Sequence, residues 1–275
     1  MSGLKARLAA QIAQTGPLTI AQYMTACLHD PQDGYYATRP AIGEPGDFLT
    51  APMVSQMFGE LIGVWAASAW RAMGEPDPFL LVEMGPGDGT LMEDLLRAGR
   101  ALPGFLAAAE VWLVETSAPL RARQRARLGA AVRWAQSLDE VPGGRPMLLV
   151  ANELLDCLPA RQFVRTAIGW TEQVVGLGED GELVFGRVPA AAPITDAPDG
   201  AVVEVSAPQA ALGAMLGARV VRDGGAALLI DYGRDRPGFG DTLQALKRHR
   251  RVDPLACPGE ADLTVHADFP AVMAA

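Results

Sequence analysis

Phe79-Leu80-Leu81-Val82-Glu83-Met84-Gly85-Pro86-Gly87-Asp88-Gly89-Thr90-Leu91-Met92-Glu93-Asp94-Leu95-Leu96 decides the fold of this chain. Phe79 to Met84 is a short apolar run that reads as a strand buried on both faces. Leu91, Leu95 and Leu96 recur at helical spacing, so the glycines between lie in a strand-to-helix turn. Gly85, Gly87 and Gly89 let the backbone turn tightly and come close to a ligand. Amides opening the next helix favour a negatively charged or electron-rich partner. Together these features predict an α/β chain with a nucleotide-binding turn.

Two details narrow the ligand. The spacing is Gly-x-Gly-x-Gly, whereas the dinucleotide fingerprint is Gly-x-Gly-x-x-Gly. Glu83 also stands two residues before the first glycine, where it would repel a pyrophosphate and attract a cation such as the amino end of S-adenosylmethionine. A turn that only packs a helix on a sheet is the plainer alternative. Working outward, Glu110 to Glu115 is the second strand, and Glu115 ends it roughly 20–30 residues after the glycines, where an acid takes a ribose diol. A carboxylate accepts from both hydroxyls and so selects an unphosphorylated ribose. Leu120 to Leu128 returns as a helix. Val132 to Ala135 is a third strand, after which Ser137 and Leu138 are placed near an adenine edge. The cofactor-binding set is therefore Glu83, Gly85, Gly87, Asp88, Gly89, Glu115, Ser137, Leu138 and Asn152.

Met147 to Ala151 is the fourth strand, leading into Asn152-Glu153-Leu154-Leu155-Asp156-Cys157-Leu158-Pro159. Ligands of open α/β sheets sit outside the carboxyl ends of the strands, where the strand order reverses. First and fourth strands are neighbours there, so Asn152, Glu153 and Asp156 are expected to face the ligand held by the first strand. Two carboxylates and an amide can grip a cationic, fork-shaped group. The competing reading is a helix N-terminus with acids in its first turn.

The chain has 275 residues, 49% hydrophobic and 20% charged, with a formal net charge of −9. That balance argues against a nucleic-acid partner, which favours a basic excess. The run Arg121 to Arg127 reads as a solvated helix face. Cys27, Cys157 and Cys257 are scattered without Cys-x-x-Cys spacing, which suits reduced thiols and gives no metal site. No apolar run reaches bilayer length and the N-terminus lacks a signal-peptide core. Cytoplasm is the expected compartment.

In order along the chain, residues 1–75 are expected to form a helical segment and an active-site loop, and 76–160 a Rossmann-like cofactor core. Residues 161–200 alternate as an inserted antiparallel ribbon with a linker, and 201–275 complete the core. Thr19 is placed to cap a helix running to about His29. Tyr35 and Tyr36 look exposed, in a turn-rich stretch. Gly43 to Pro52 holds too much glycine and proline for regular structure. Long loops in compact domains are usually functional, so Asp47, Phe48, Thr50 and Ser55 are candidate substrate and lid residues. Asp262 to Phe269 reads as a final polar segment.

Taken together the blocks resemble the MidA-like proteins, bacterial relatives of a mitochondrial complex I assembly factor with methyltransferase activity. The matching residues are Gly46-Asp47-Phe48-Leu49-Thr50, Ser55 to Gly59, Glu83 to Gly89, Asn152 to Pro159, Glu204-Val205-Ser206, Asp231-Tyr232-Gly233 and Asp262 to Phe269. The resemblance runs from about Pro17 to Phe269. It implies a class I fold dependent on S-adenosylmethionine, and transfer to an arginine of a complex I subunit or its bacterial equivalent. By position, Gly85, Gly87 and Glu115 would hold the donor, and Asn152, Glu153 and Asp156 would line the acceptor side as catalytic residues. The family continues past its Asp-Leu-Thr-x-His-x-Asp-Phe block further than this chain does, so the last sheet elements are expected to be absent or incomplete. A different class of function is a non-catalytic assembly chaperone that keeps the nucleoside pocket; loss of the glycines or acids would mark it, and none is lost. A methyltransferase for small molecules is a third reading, and a nicotinamide oxidoreductase a distant one.

Overall fold

The computed structural model describes residues 3–38, 51–191, 193–194 and 196–275. Asp47, Phe48 and Thr50 of the expected lid lie outside the described residues; Ser55 lies within them. Helices α1 (Gly3–Thr15), α2 (Ile20–His29) and α3 (Gln56–Ala72) precede β1 (Phe79–Met84) and α4 (Thr90–Gly99). Then follow β2 (Ala109–Val114), α5 (Ala118–Leu128), β3 (Arg133–Ala135) and β4 (Met147–Asn152). Strands β5 (Arg161–Thr166), β6 (Gly169–Leu177), β7 (Leu183–Ala190) and β8 (Val202–Val205) come next, then α6 (Ala207–Asp223) and β9 (Gly225–Ile230). Short strands β10 (Gln244–Lys247), β11 (Arg250–Val252) and β12 (Asp262–Thr264) lie near the end.

Helix ends follow local chemistry. Thr19 and Gln22 form a reciprocal capping box at the start of α2, satisfying two backbone donors that a helix otherwise leaves unpaired. Ser117 caps α5 through the Leu120 N–H, with Pro119 in the first turn, where a missing N–H costs nothing.

Described residues within Pro40–Leu154 and Ala214–Asp231 form one compact unit; those within Met1–Arg39, Leu155–Gly213 and Tyr232–Ala275 form another. The first unit is built on a parallel sheet in the order β9-β4-β1-β2-β3. Register pairs Glu83 with Val150 and Ile230 with Asn152, so the strands end together at one edge. Phe79 to Val82 and Met147 to Val150 are fully buried, as expected of strands covered on both faces. Helix α3 lies against α4 because Gly59 and Gly63 carry no side chain there. A Cβ on Gly63 would come within 2.8 Å of the Ala98 methyl. The close approach buries Met92 and Leu95 completely, each contributing about 1.5–3 kcal/mol. Ring contacts among Trp70, Phe79 and Phe105 fill the space beneath.

The second unit is mainly antiparallel, the short pair Gly233–Arg234 with Ala267–Asp268 alone being parallel among its described strands. Leu18–Thr19, β6, β5 and β8 run in that order, with β7 on the other pairing of β6. The expected ribbon is thus part of a larger sheet, extended by β8 and by residues from the N-terminal segment. A three-stranded sheet, β11-β10-β12, completes it along with the pair Gly233–Arg234 and Ala267–Asp268.

Three expectations are corrected. Tyr35 is 1% exposed, and the Tyr36 hydroxyl donates to Asp262 at 2.7 Å; both rings are drawn inward by packing that a turn-rich sequence hides. Asp262 to Phe269 is not a polar tail, since residues 261–265 are all buried. Asp262 takes the Tyr36 hydroxyl from a distant segment, which offsets the penalty for burying that carboxylate, while the buried Thr264 hydroxyl finds no partner among the described residues. No helix begins after β4: Asn152 passes directly into turns, so Glu153 and Asp156 are not helix-terminal acids.

Candidate active site

The three glycines of the turn all adopt positive φ, at 65°, 54° and 88° for Gly85, Gly87 and Gly89, a region that side chains disfavour. Gly89 is required twice over, because a Cβ there would meet Leu128 at 3.3 Å and Gln124 at 3.5 Å on α5. Asp88 holds the turn from within, accepting from the Thr90 amide at 3.0 Å and hydroxyl at 2.7 Å. Arg127 clamps it from α5, donating to the Asp88 carboxylate at 2.9 Å and to Glu93 at 2.8 Å. Arg125 lies over the Trp134 ring at 5.0 Å. The basic helix face is therefore partly a brace for the turn and not only a solvated surface.

Glu83 is 3% exposed. The Met92 amide donates to it, yet Oε2 finds no partner among the described residues. Burial, followed by the repulsion of Asp88 and Glu115, pushes its carboxyl up to about 8. A buried carboxylate oxygen without a partner is costly unless a cation reaches it. The amino end of S-adenosylmethionine supplies such a cation, and Glu83 stands two residues before the glycine turn. The residues present fit the group.

Glu115 is buried at the end of β2, and burial raises its pKa against the pull of its hydrogen-bond donors. Its Oε1 accepts from the Ser117 amide at 2.7 Å and its Oε2 from the Gln124 side chain at 3.3 Å. Ser137 is exposed just past β3 and Leu138 is buried beside it. Arg219 of α6 donates to the Leu138 carbonyl at 3.2 Å and to the carbonyls of Val141 and Pro142, fixing that loop.

At the end of β4, Glu153 has φ 51°, a conformation uncommon for a residue with a side chain and concentrated at functional sites. It is held there by its amide, which donates to Ile230 at 2.8 Å, and by the Asn152 side chain, which donates to Oε1 at 3.3 Å. The Ala51 amide donates to the same carboxylate, while its Oε2 is buried without a partner among the described residues. Burial raises the pKa of Glu153, and Asp231 raises it further. Asp231 follows β9 and stands next to Glu153 across the β4–β9 pairing. Ser55 is the N-cap of α3, and its side chain makes no capping bond.

The structure thus gathers Glu83, Asp88 and Glu115 around the turn and Asn152, Glu153 and Asp231 at the neighbouring strand ends. Asp156 falls in the other compact unit, buried near Tyr36. The sequence reading passed over Asp231 as a site residue, although an acid closing a buried strand was a visible signal. Gln124, Arg127 and Arg219 carried no such signal, for each has a partner far off in sequence: Gly87 at 37 residues, Glu93 at 34 and Leu138 at 81.

Residues 61–275 match the family described as "Putative S-adenosyl-L-methionine-dependent methyltransferase". The chain belongs to this family. It is 36% identical over 293 residues to "Protein arginine methyltransferase NDUFAF7, mitochondrial" of Danio rerio, covering 95% of this chain and 69% of that protein. The Homo sapiens protein of the same name is 37% identical over 290 residues, covering 94% and 65%. The chain thus spans about two thirds of the length of these curated relatives. A Burkholderia thailandensis protein crystallised with S-adenosyl-homocysteine superposes with a TM-score of 0.81 at 32% identity, covering 98% of this chain and 74% of that one. The Rossmann-like sheet is accordingly that of an enzyme that uses S-adenosylmethionine to transfer a methyl group.

Proposed function

We propose that the acceptor is an arginine side chain of a protein. One observation carries this reading: a carboxylate held in strained backbone at the exit of β4, with one buried oxygen lacking a partner among the described residues. The names of the relatives as protein arginine methyltransferases support it. When bound, S-adenosylmethionine supplies a methyl group on a positively charged sulfur. A guanidinium stays protonated at neutral pH, so its nitrogen must be oriented and must shed a proton as the new bond to carbon forms. Glu153 suits both tasks. Its bare oxygen accepts a guanidinium N–H, and its raised pKa makes it a better proton acceptor than an exposed glutamate. Asn152 fixes the carboxylate plane, so little order is lost when the acceptor arrives. Glu83 and Glu115 hold the two ends of the donor.

Within this reading, the acceptor protein is a subunit of respiratory complex I or its bacterial equivalent, as the family resemblance implies. Incubating the chain with methyl-labelled donor and a cell lysate, followed by peptide mass spectrometry, tests both levels. Label is expected on arginine, in a complex I subunit. Label on lysine, or only in the small-molecule fraction, overturns the acceptor class; label on arginines of unrelated proteins overturns the partner alone.

A further inference from the structure

Gln124 is fully buried on α5 and reaches three groups at once. Its Oε1 accepts from the Trp134 indole N–H at 2.8 Å. Its Nε2 donates to the Gly87 carbonyl at 2.7 Å and to Glu115 Oε2 at 3.3 Å. An indole nitrogen can only donate, so Trp134 dictates which end of the amide faces the turn. The amino end is left against a carbonyl and a carboxylate, both acceptors, and a flipped amide would satisfy none of the three. On its other oxygen Glu115 takes the Ser117 amide at 2.7 Å. The Thr116 amide also donates to this carboxylate, so three fixed donors orient its two oxygens.

We propose that Gln124 is a positioning residue that sets the Glu115 carboxylate for a vicinal diol and so gives the cofactor site its preference for an intact ribose. This rests on reading Glu115 as the ribose acid. Two hydroxyls on adjacent carbons need two acceptor oxygens held in one plane. A carboxylate left to rotate would lose rotamer freedom on binding, and its affinity would fall accordingly. The contact with Gly87 ties the same amide to the turn, so acid and turn keep one spacing. Burial raises the Glu115 pKa while the Gln124 and Ser117 donors lower it; Gln124 thus also helps keep the acid ionised.

Calorimetric titration of the full chain with S-adenosyl-homocysteine and with its 2′-deoxyribose analogue tests the assignment, from about pH 6 to about pH 9. The wild type is expected to prefer the intact ribose by about tenfold or more, the scale of a lost hydrogen bond to a charged group. Gln124→Met, apolar and of similar length, should cut that preference to about threefold or less and move the acid-side loss of the preference, in which the proton expelled at Glu83 by both ligands cancels, to higher pH. Where circular dichroism shows that this variant does not fold, Trp134→Phe is read in its place; it unpins the amide and should narrow the preference in the same direction. A variant that binds both ligands more weakly by the same factor, with the wild-type pH profile, overturns the proposal. Glu115→Ala separates the two levels. Full ribose preference in that variant overturns the reading of Glu115 itself. Loss of preference there, with preference kept in Gln124→Met, overturns only the role of Gln124.

Discussion

Glu83 carries a carboxyl group into surroundings that oppose its charge, and this has consequences for pH. Its pKa in the folded chain is about 8, against an ordinary value of 4.5. A raised folded pKa means that the stability this group contributes is full below the ordinary value and is lost as pH rises through about 8. Melting of the ligand-free chain should therefore weaken across that window, and Glu83→Gln should flatten the trend. Donor binding should move the other way. A cationic amino group favours the ionised acid, so below about pH 8 binding must expel a proton, and affinity should climb up to about tenfold per pH unit before levelling. Affinity for S-adenosyl-homocysteine that stays constant across that range would remove Glu83 from the cofactor site. Glu153 gives a second prediction at this scale. Glu153→Gln keeps the side-chain shape and its Asn152 neighbour, so donor binding should persist while methyl transfer falls by about two to four orders of magnitude, the scale of a lost acid–base group. Because no helix starts at Glu153, the exchange removes no helix-terminal charge, and melting temperature should change little. Full transfer in that variant would exclude Glu153 from the chemistry.

At the scale of elements, the glycine turn is held between β1, α4 and α5, and Gly89 is the point where the three meet. Gly89→Ala would place a methyl group 3.3 Å from Leu128 in a backbone region that disfavours it. The strain is about 1–3 kcal/mol, so a lower melting temperature should accompany weaker binding of S-adenosyl-homocysteine; thermal melts and calorimetry on one preparation check both, and an unchanged affinity would show that the turn does not touch the donor. This element was legible in the sequence because its signals are local: an apolar run, glycines at fixed spacing and a helical repeat fall within one window. Strands β1 to β4 were readable for the same reason, being short apolar runs between turn residues. The elements that misread share another cause. Tyr35, Tyr36 and the Asp262–Thr264 strand are polar or turn-like in composition, and only tertiary partners make their burial favourable. Gln124 shows the limit most plainly. Its buried amide matters because Gly87, 37 residues earlier, and Trp134, 10 residues later, converge on it, and no pattern within α5 records that convergence.

Over the whole molecule, the chain crosses between its two compact units four times, after Arg39, Leu154, Gly213 and Asp231. The unit carrying the glycine turn is therefore discontinuous: β4 ends at Asn152, residues 155–213 belong elsewhere, and the returning half of α6 then leads into β9. This is a crossover between two parallel neighbours with a large segment set into it. It follows that residues 40–154 alone lack the strand that pairs with β4 along its full length. A fragment of that span would leave β4 as an unpaired, apolar edge, the kind of strand that drives aggregation. It should express poorly or bind S-adenosyl-homocysteine far more weakly than the whole chain. Joining residues 40–154 to 214–231 through a Gly/Ser linker of about ten residues, which spans about 16–19 Å on average, should restore β9 to its place. The composite is expected to unfold cooperatively and to recover donor affinity to within about tenfold of the full chain, an energy difference near 1.4 kcal/mol. Circular dichroism and calorimetry on the three proteins decide the matter. A contiguous 40–154 fragment that folds and binds as tightly as the full chain would show that β9 is dispensable to the cofactor site.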